Sequence, residues 1–198
     1  METILGRRSL DLDLTGLKNQ LTNYNRITLD LGTGDGKFAF HYAQTFPSHF
    51  VIGVDSCREN LRENSRMKLP NALFIIASAQ DLPNELNGLV SHITINFPWG
   101  SLLESLLTGD CMLTHRLELI SRSTASIDIR LNGGALAEQG CTLEAGAAQI
   151  YNNLIHAGWR VKTPVMINAQ TLREFPSTWA KRLAFGRDPR AMQLSGCI

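Results

Sequence analysis

No apolar run in this chain approaches the about 18 residues that a membrane-spanning helix requires, so such a helix is excluded. The opening residues, METILGRRSL, lack the basic-then-apolar layout of a secretory leader. The expectation is therefore a cytoplasmic protein without membrane contact. Cysteine is scarce. Cys57, Cys111, Cys141 and Cys197 lie far apart, with no C-x-x-C pair and no histidine at zinc-ligand spacing, which argues against disulfides and against any metal site. Charge of one sign is missing too, because 19 Lys and Arg face 18 Asp and Glu. No internal repeat, low-complexity tract or long linker divides the 198 residues, so they read as one domain.

What is present is near the globular average, with 43% hydrophobic and 19% charged residues. The charge is unevenly placed. Residues 160–198 carry seven basic side chains against two acidic ones, a balance of +5, while the rest of the chain stands at −4. A surface that faces a polyanion has this asymmetry, as does a solvated segment that happens to be basic.

Short runs rich in Ile, Val, Leu and Phe read as strands at 26–31, 50–55, 73–78, 92–97 and 125–131, and helix-like stretches near 37–46, 58–66, 101–107, 112–123 and 143–157 separate them. That alternation predicts a doubly wound α/β sheet. The tail adds two further strands, a Pro-interrupted one at 159–167 and another at 191–197, around a short helix. Residues 1–24 read as an N-terminal appendage on the sheet.

The first strong strand runs into Asp30-Leu-Gly-Thr-Gly-Asp-Gly36 and then a helix. Its spacing is G-x-G-x-G, and Lys37 follows, so the dinucleotide fingerprint G-x-G-x-x-G is not met. A pyrophosphate needs a helix N-terminus aimed at it. S-adenosylmethionine has no phosphate and needs a turn free of side chains that lets the backbone approach. The loop is similar to the first motif of Rossmann-like methyltransferases, although a turn that merely joins strand to helix has the same look. Asp55 ends the second strand, where a carboxylate can accept from ribose hydroxyls or cap the next helix. After the third strand, Ala77-Ser-Ala-Gln-Asp81 makes a polar turn suited to an adenine ring. Three strand ends on one crevice favour cofactor binding.

After the fourth strand comes Asn96-Phe-Pro-Trp-Gly100 and then Ser101. Trp99, held between proline and glycine, is expected in the crevice, able to stack on a nucleobase; the other reading is a lid packed on the sheet. In the tail, Ser177 is a natural N-cap and Gly186 a natural stop, so Thr178 to Phe185 reads as a short helix. Trp179 shares its apolar face with Leu183 and either packs or stacks. Lys181, Arg182 and Arg187 surround it, a grouping suited to a flipped base and its flanking phosphates.

LDLGTGDG, VIGVDSCREN, NFPWGSLLE and above all STWAKRLAFGR resemble the aminoglycoside-resistance methyltransferases that modify N1 of the aminoacyl-site adenine in 16S ribosomal RNA. The resemblance covers nearly the whole chain, and FPWG and WAKRLAFGR are its most diagnostic strings. It implies a mostly parallel seven-stranded sheet with an antiparallel C-terminal strand. It implies S-adenosylmethionine held by Asp30, Gly32, Thr33, Gly34, Asp55, Ala79, Gln80 and Ser101. Trp99 and Trp179 would stack on the flipped adenine with Ser177 near it. Lys181, Arg182, Arg187, Arg62 and Arg66 would contact RNA, and the partner would be the 30S subunit, approached by a monomer. This chain departs from that family in its lower net charge and in a short connection between the second and third strands, where only Arg62, Arg66 and Lys68 are basic.

N1 of a neutral adenine carries a lone pair and no proton, so its methylation needs no general base. The lack of a histidine or lysine with a partner motif is therefore no objection. Two other functions fit less well: a guanine-N7 tRNA methyltransferase, which typically carries an acid after FP where Trp99 stands, and a non-catalytic, S-adenosylmethionine-binding, RNA-associated module.

Overall fold

The computed structural model describes residues 1–185 and 189–198, with Trp179 described in its backbone alone. A hairpin of β1 (Glu2–Leu5) and β2 (Arg8–Asp11) opens the chain, followed by α1 (Leu14–Leu21), whose N-cap Asp13 accepts from Gly16 N at 2.7 Å. The alternation then runs through β3 (Arg26–Leu31), α2 (Lys37–Thr45), β4 (His49–Asp55), α3 (Arg58–Ser65), β5 (Ala72–Ile76) and β6 (Val90–Asn96). It continues with α4 (Gly100–Thr108), α5 (Cys111–Ile120), β7 (Ser121–Asn132), α6 (Gly133–Glu138) and α7 (Leu143–His156). The tail holds β8 (Arg160–Val161), β9 (Val165–Ile167), α8 (Ala169–Glu174), α9 (Thr178–Ala184) and β10 (Ala191–Cys197).

All the strands among the described residues join one sheet in the order β2-β1-β5-β4-β3-β6-β7-β10-β8, with β9 also on β10. The five from β5 to β7 are parallel, and β10 runs antiparallel beside β7. The expected seven-position sheet is thus present, and two local events enlarge it to ten strands. The N-terminal hairpin pairs with the β5 edge, and the strand expected at 159–167 is split into β8 and β9 around Pro164, which has no N–H to give a ladder. The short helix expected in the tail is two. Asn168 caps α8 by accepting from Thr171 N at 2.8 Å, and Ser177 caps α9. Gly186, expected to stop α9, lies outside the described residues.

Side chains alternate along the central strands. Ile27, Leu29 and Leu31 of β3, Ile93 and Ile95 of β6, and Ile127, Ile129 and Leu131 of β7 enter the main core with α4, α5 and α7. Thr28 and Asp30 of β3 and Thr94 of β6 occupy the intervening positions and are buried as well. A buried polar row costs free energy unless it is hydrogen-bonded; the Thr28 hydroxyl has no such partner among the described residues, whereas those of Asp30 and Thr94 lead to the crevice above the strand ends. Among the described residues no helix is long and apolar enough to cross a membrane.

Candidate active site

The loop after β3 folds back on its neighbour. Thr33 N donates to Val54 O at 2.9 Å and Gly34 N donates to Asp55 Oδ2 at 2.8 Å. Gly32 and Gly34 take φ of +68° and +58°, in the left-handed region that L side chains rarely adopt. Their surroundings differ. A methyl group on Gly32 would come 2.8 Å from Leu102 Cδ2, whereas one on Gly34 would meet nothing within 4 Å. Gly32 therefore serves packing, and the bare backbone at Gly34 faces open space that a ligand can enter.

Asp30 lies beneath this loop and is buried. Its Oδ1 accepts from Thr94 Oγ1 and Asn96 Nδ2, each at 2.9 Å, and its Oδ2 accepts from the Thr33 hydroxyl. Burial pushes its pKa up to about 6, opposed by those three hydrogen bonds and by the charge of Arg130. Arg130 Nη1 in turn donates to Asn96 Oδ1 at 2.8 Å.

Asp55 stands at the end of β4. Besides Gly34 N, it accepts from Cys57 N at 2.8 Å and from Asn60 Nδ2 at 3.4 Å, through Oδ1. The two readings of this residue are thus compatible: the carboxylate organises the entry to α3 through Oδ1, and Oδ2, which accepts only from Gly34 N among the described contacts, has a second lone pair for a ligand. At the third strand end Gln80 is clamped, its Oε1 accepting from Ser78 Oγ at 2.7 Å and its Nε2 donating to Ser105 Oγ at 2.8 Å.

At the fourth strand end the chain turns at Phe97, whose φ is +55°. A phenylalanine there is strained. The turn is held because Phe97 N donates to Arg130 O at 2.8 Å and its ring is buried against Phe175, edge-on at 5.7 Å between centroids. The turn carries Pro98 and Trp99 to the crevice, with Trp99 42% exposed. Of the two readings of Trp99, exposure on a loop is the one the geometry matches. Gly100, at φ +56°, then starts α4 and presents Ser101.

The C-terminal segment closes one side. Phe175 lies flat on Phe38, with centroids 5.1 Å apart and planes at 6°. Thr178 Oγ1 donates to Asp35 Oδ2 at 2.7 Å, joining the start of α9 to the glycine loop.

One cavity of about 380 Å³ takes in Asp30, Gly32, Thr33, Gly34, Asp55, Ala79, Gln80, Trp99, Ser101 and Ser177. Every cofactor candidate read from the sequence lines it, together with Trp99 and Ser177. Trp179 follows Ser177 by two residues in α9, but its side chain lies outside the described residues, as does all of Arg187. Lys181 and Arg182 are exposed on α9. Arg62 and Arg66 are not brought to the cavity. They sit at α3, paired with Glu59 at 3.0 Å and Glu63 at 4.0 Å.

Sequence reasoning missed Asn96, Asn60, Phe38 and Phe97 in the cavity wall, and Thr94, Arg130 and Phe175 behind it. Parallel pairing sets Thr94 opposite Asp30 and Asn96 opposite Arg130, a register that no local signal in the sequence supplies.

A glycine loop and an acid at successive parallel strand ends, beneath an aromatic loop, in this sheet order, define a Rossmann-like methyltransferase, and solved structures agree. A structure described as an antibiotic-related methyltransferase superposes with a TM-score of 0.88 at 29% identity, over 99% of this chain and 100% of the other. The 16S rRNA methyltransferase KamB superposes at 0.89 with 27% identity, over 100% and 99%. Among curated proteins, the 16S rRNA (adenine(1408)-N(1))-methyltransferase of Escherichia coli is 29% identical over 100% of this chain and 99% of its own length. The model of the NpmA family, 16S rRNA (adenine(1408)-N(1))-methyltransferase, matches residues 2–198, and the chain belongs to that family.

Proposed function

We propose that this protein methylates N1 of adenine 1408 of 16S rRNA in the 30S subunit, with S-adenosylmethionine as donor, and so confers aminoglycoside resistance. The observation that carries the reading is one cavity lined by all the cofactor candidates together with Trp99 and Ser177, in a chain that matches its family from end to end. The protein acts as a monomer in the cytoplasm, where its substrate is assembled.

The residues present suit the donor. The bare loop at Gly34, the spare lone pair of Asp55 Oδ2, the turn at Ala79 and Gln80, and Ser101 would hold it. When bound, it supplies an electrophilic methyl group. The protein supplies position. Trp99 offers a stacking face to an extruded adenine, with Trp179 the proposed second face, and aromatic faces stabilise the positive charge that develops on the base. Ser177 lies near the base. No residue has to remove a proton, because N1 of neutral adenine has none. Lys181, Arg182 and Arg187 grip flanking phosphates, and Arg62 and Arg66 add a second contact.

The test is transfer of a tritiated methyl group to isolated 30S subunits, free 16S rRNA and bulk tRNA. The proposal expects labelling of 30S above free RNA and none of tRNA. Labelling of tRNA alone would assign the protein to guanine-N7 chemistry, and cofactor binding without transfer would make it a binding module.

A further inference from the structure

Arg130 belongs to neither the cofactor nor the RNA candidates, yet it touches both sides of the crevice. It sits on β7 opposite Asn96 of β6 in the parallel register. Its backbone carbonyl accepts from Phe97 N at 2.8 Å, which holds the strained turn before Pro98 and Trp99. Its guanidinium donates to Asn96 Oδ1 at 2.8 Å, and Asn96 passes the contact on to Asp30. The same guanidinium lies over the ring of Phe175, 4.8 Å from the centroid. Phe175 is the C-cap of α8, two positions before the Ser177 cap of α9.

Resting on the function proposed above, we infer that Arg130 is a positioning residue for methyl transfer: one guanidinium fixes the cofactor wall through Asn96 and the stacking segment through the face of Phe175. A planar, permanently charged group is what this double task requires. A fork of N–H donors can point in the plane at an amide oxygen while the flat face covers a ring, and a lysine ammonium cannot do both. The charge has a further effect, because Arg130 helps keep Asp30 ionised against its burial. Asp35 and Asp55 line the same cavity as Asp30, while Asp128, two positions from Arg130 on β7, and His92 of β6, itself near Asp128 and Arg26, share the field of Arg130.

Three variants of the full chain separate the two tasks: Arg130→Met, Arg130→Lys and Phe175→Leu. For each, kcat and KM are measured on 30S subunits, and S-adenosylmethionine affinity is measured by calorimetry across pH. Arg130→Met is expected to lose about tenfold to a hundredfold in kcat/KM, the scale for misplaced reacting groups. Its acid-side loss of cofactor affinity moves to higher pH, because Asp30 has lost its facing cation. Arg130→Lys keeps the charge, so the pH dependence returns to that of wild type while turnover stays low. Phe175→Leu keeps Arg130 and behaves like Arg130→Lys, and that pair decides the matter if Arg130→Met does not fold. Wild-type turnover in Arg130→Lys and Phe175→Leu, or an unmoved acid limb in a folded Arg130→Met, would overturn the inference. Calorimetry needs no RNA, so failure of the wild type to label 30S would overturn the functional reading and leave the cofactor-side result standing.

Discussion

Gly34 donates its backbone N–H to Asp55 Oδ2 at 2.8 Å, so the loop after one strand and the acid after the next form a single unit. Removing the carboxylate takes away both the proposed ligand contact and the anchor of the loop. Asp55→Ala should weaken S-adenosylmethionine binding by about 1.5 to 3 kcal/mol, the range for hydrogen bonds to a charged group. Asp55→Asn, which keeps one acceptor oxygen, should lose less. Calorimetry reads both, and an unchanged affinity in the alanine variant would remove Asp55 from the cofactor site.

The glycines of the same loop make a sharper contrast. A methyl group at Gly34 meets no protein atom, so Gly34→Ala should cost only the left-handed backbone strain, about 1 to 2 kcal/mol, while blocking the space a ligand needs. A methyl group at Gly32 collides with Leu102, so Gly32→Ala should lose more stability. Melting curves with and without S-adenosylmethionine distinguish them. Gly34→Ala is expected to melt only a few degrees below wild type without the donor, less of a loss than Gly32→Ala, and to gain little when the donor is added.

The two glycines, Asp30, Asp55 and Trp99 were legible in the sequence because a parallel sheet gathers its strand ends on one edge, so residues just after each strand converge whatever the pairing order. Arg130, Thr94 and Phe175 were not. Thr94 meets Asp30 only because β6 lies beside β3 in one register, and Phe175 reaches Phe38 only because the tail folds back over 137 positions of chain. The hairpin at 1–11 shows the same limit. It reads in the sequence only as part of an appendage on the sheet, and nothing local tells which sheet edge it would join.

Asp30 gives the stability a pH dependence of predictable sign. Its carboxyl titrates near 6 in the folded protein and near 3.8 when unfolded, so between those values the folded state holds the extra proton. The contribution of Asp30 to stability therefore falls as pH rises from about 4 to 6, by on the order of 3 kcal/mol, and is level above. His92, lowered by burial to about 4, acts in the opposite direction in the same range, so the comparison must be with a variant that retains it. Relative to Asp30→Asn, the wild type should lose stability across this window in denaturant titrations. Parallel curves for the two proteins would contradict the assignment.

The RNA-facing candidates divide by their surroundings. Lys181 and Arg182 are exposed on α9, beside the crevice, while Arg62 and Arg66 each have a glutamate three positions earlier on their own helix. Replacing Lys181 or Arg182 with alanine should lower the slope of log affinity for 30S against log salt by about one each, as expected for one phosphate contact. The α3 variants should lower it less. Equal slopes across all four would place α3 in the interface on the same footing.

The central claim is that Trp99 holds an extruded adenine for methylation at N1. Primer extension on 30S subunits treated with wild type or Trp99→Ala tests it most directly, because a methyl group on N1 blocks base pairing and stops reverse transcriptase. Trp99 is 42% exposed, so its loss should leave folding and donor affinity near wild type while removing a stacking face worth about 1 to 3 kcal/mol. The account predicts a strong stop at adenine 1408 with wild type and a weak or absent one with the variant. A stop at any other nucleotide, or a full-strength stop with Trp99→Ala, would contradict it.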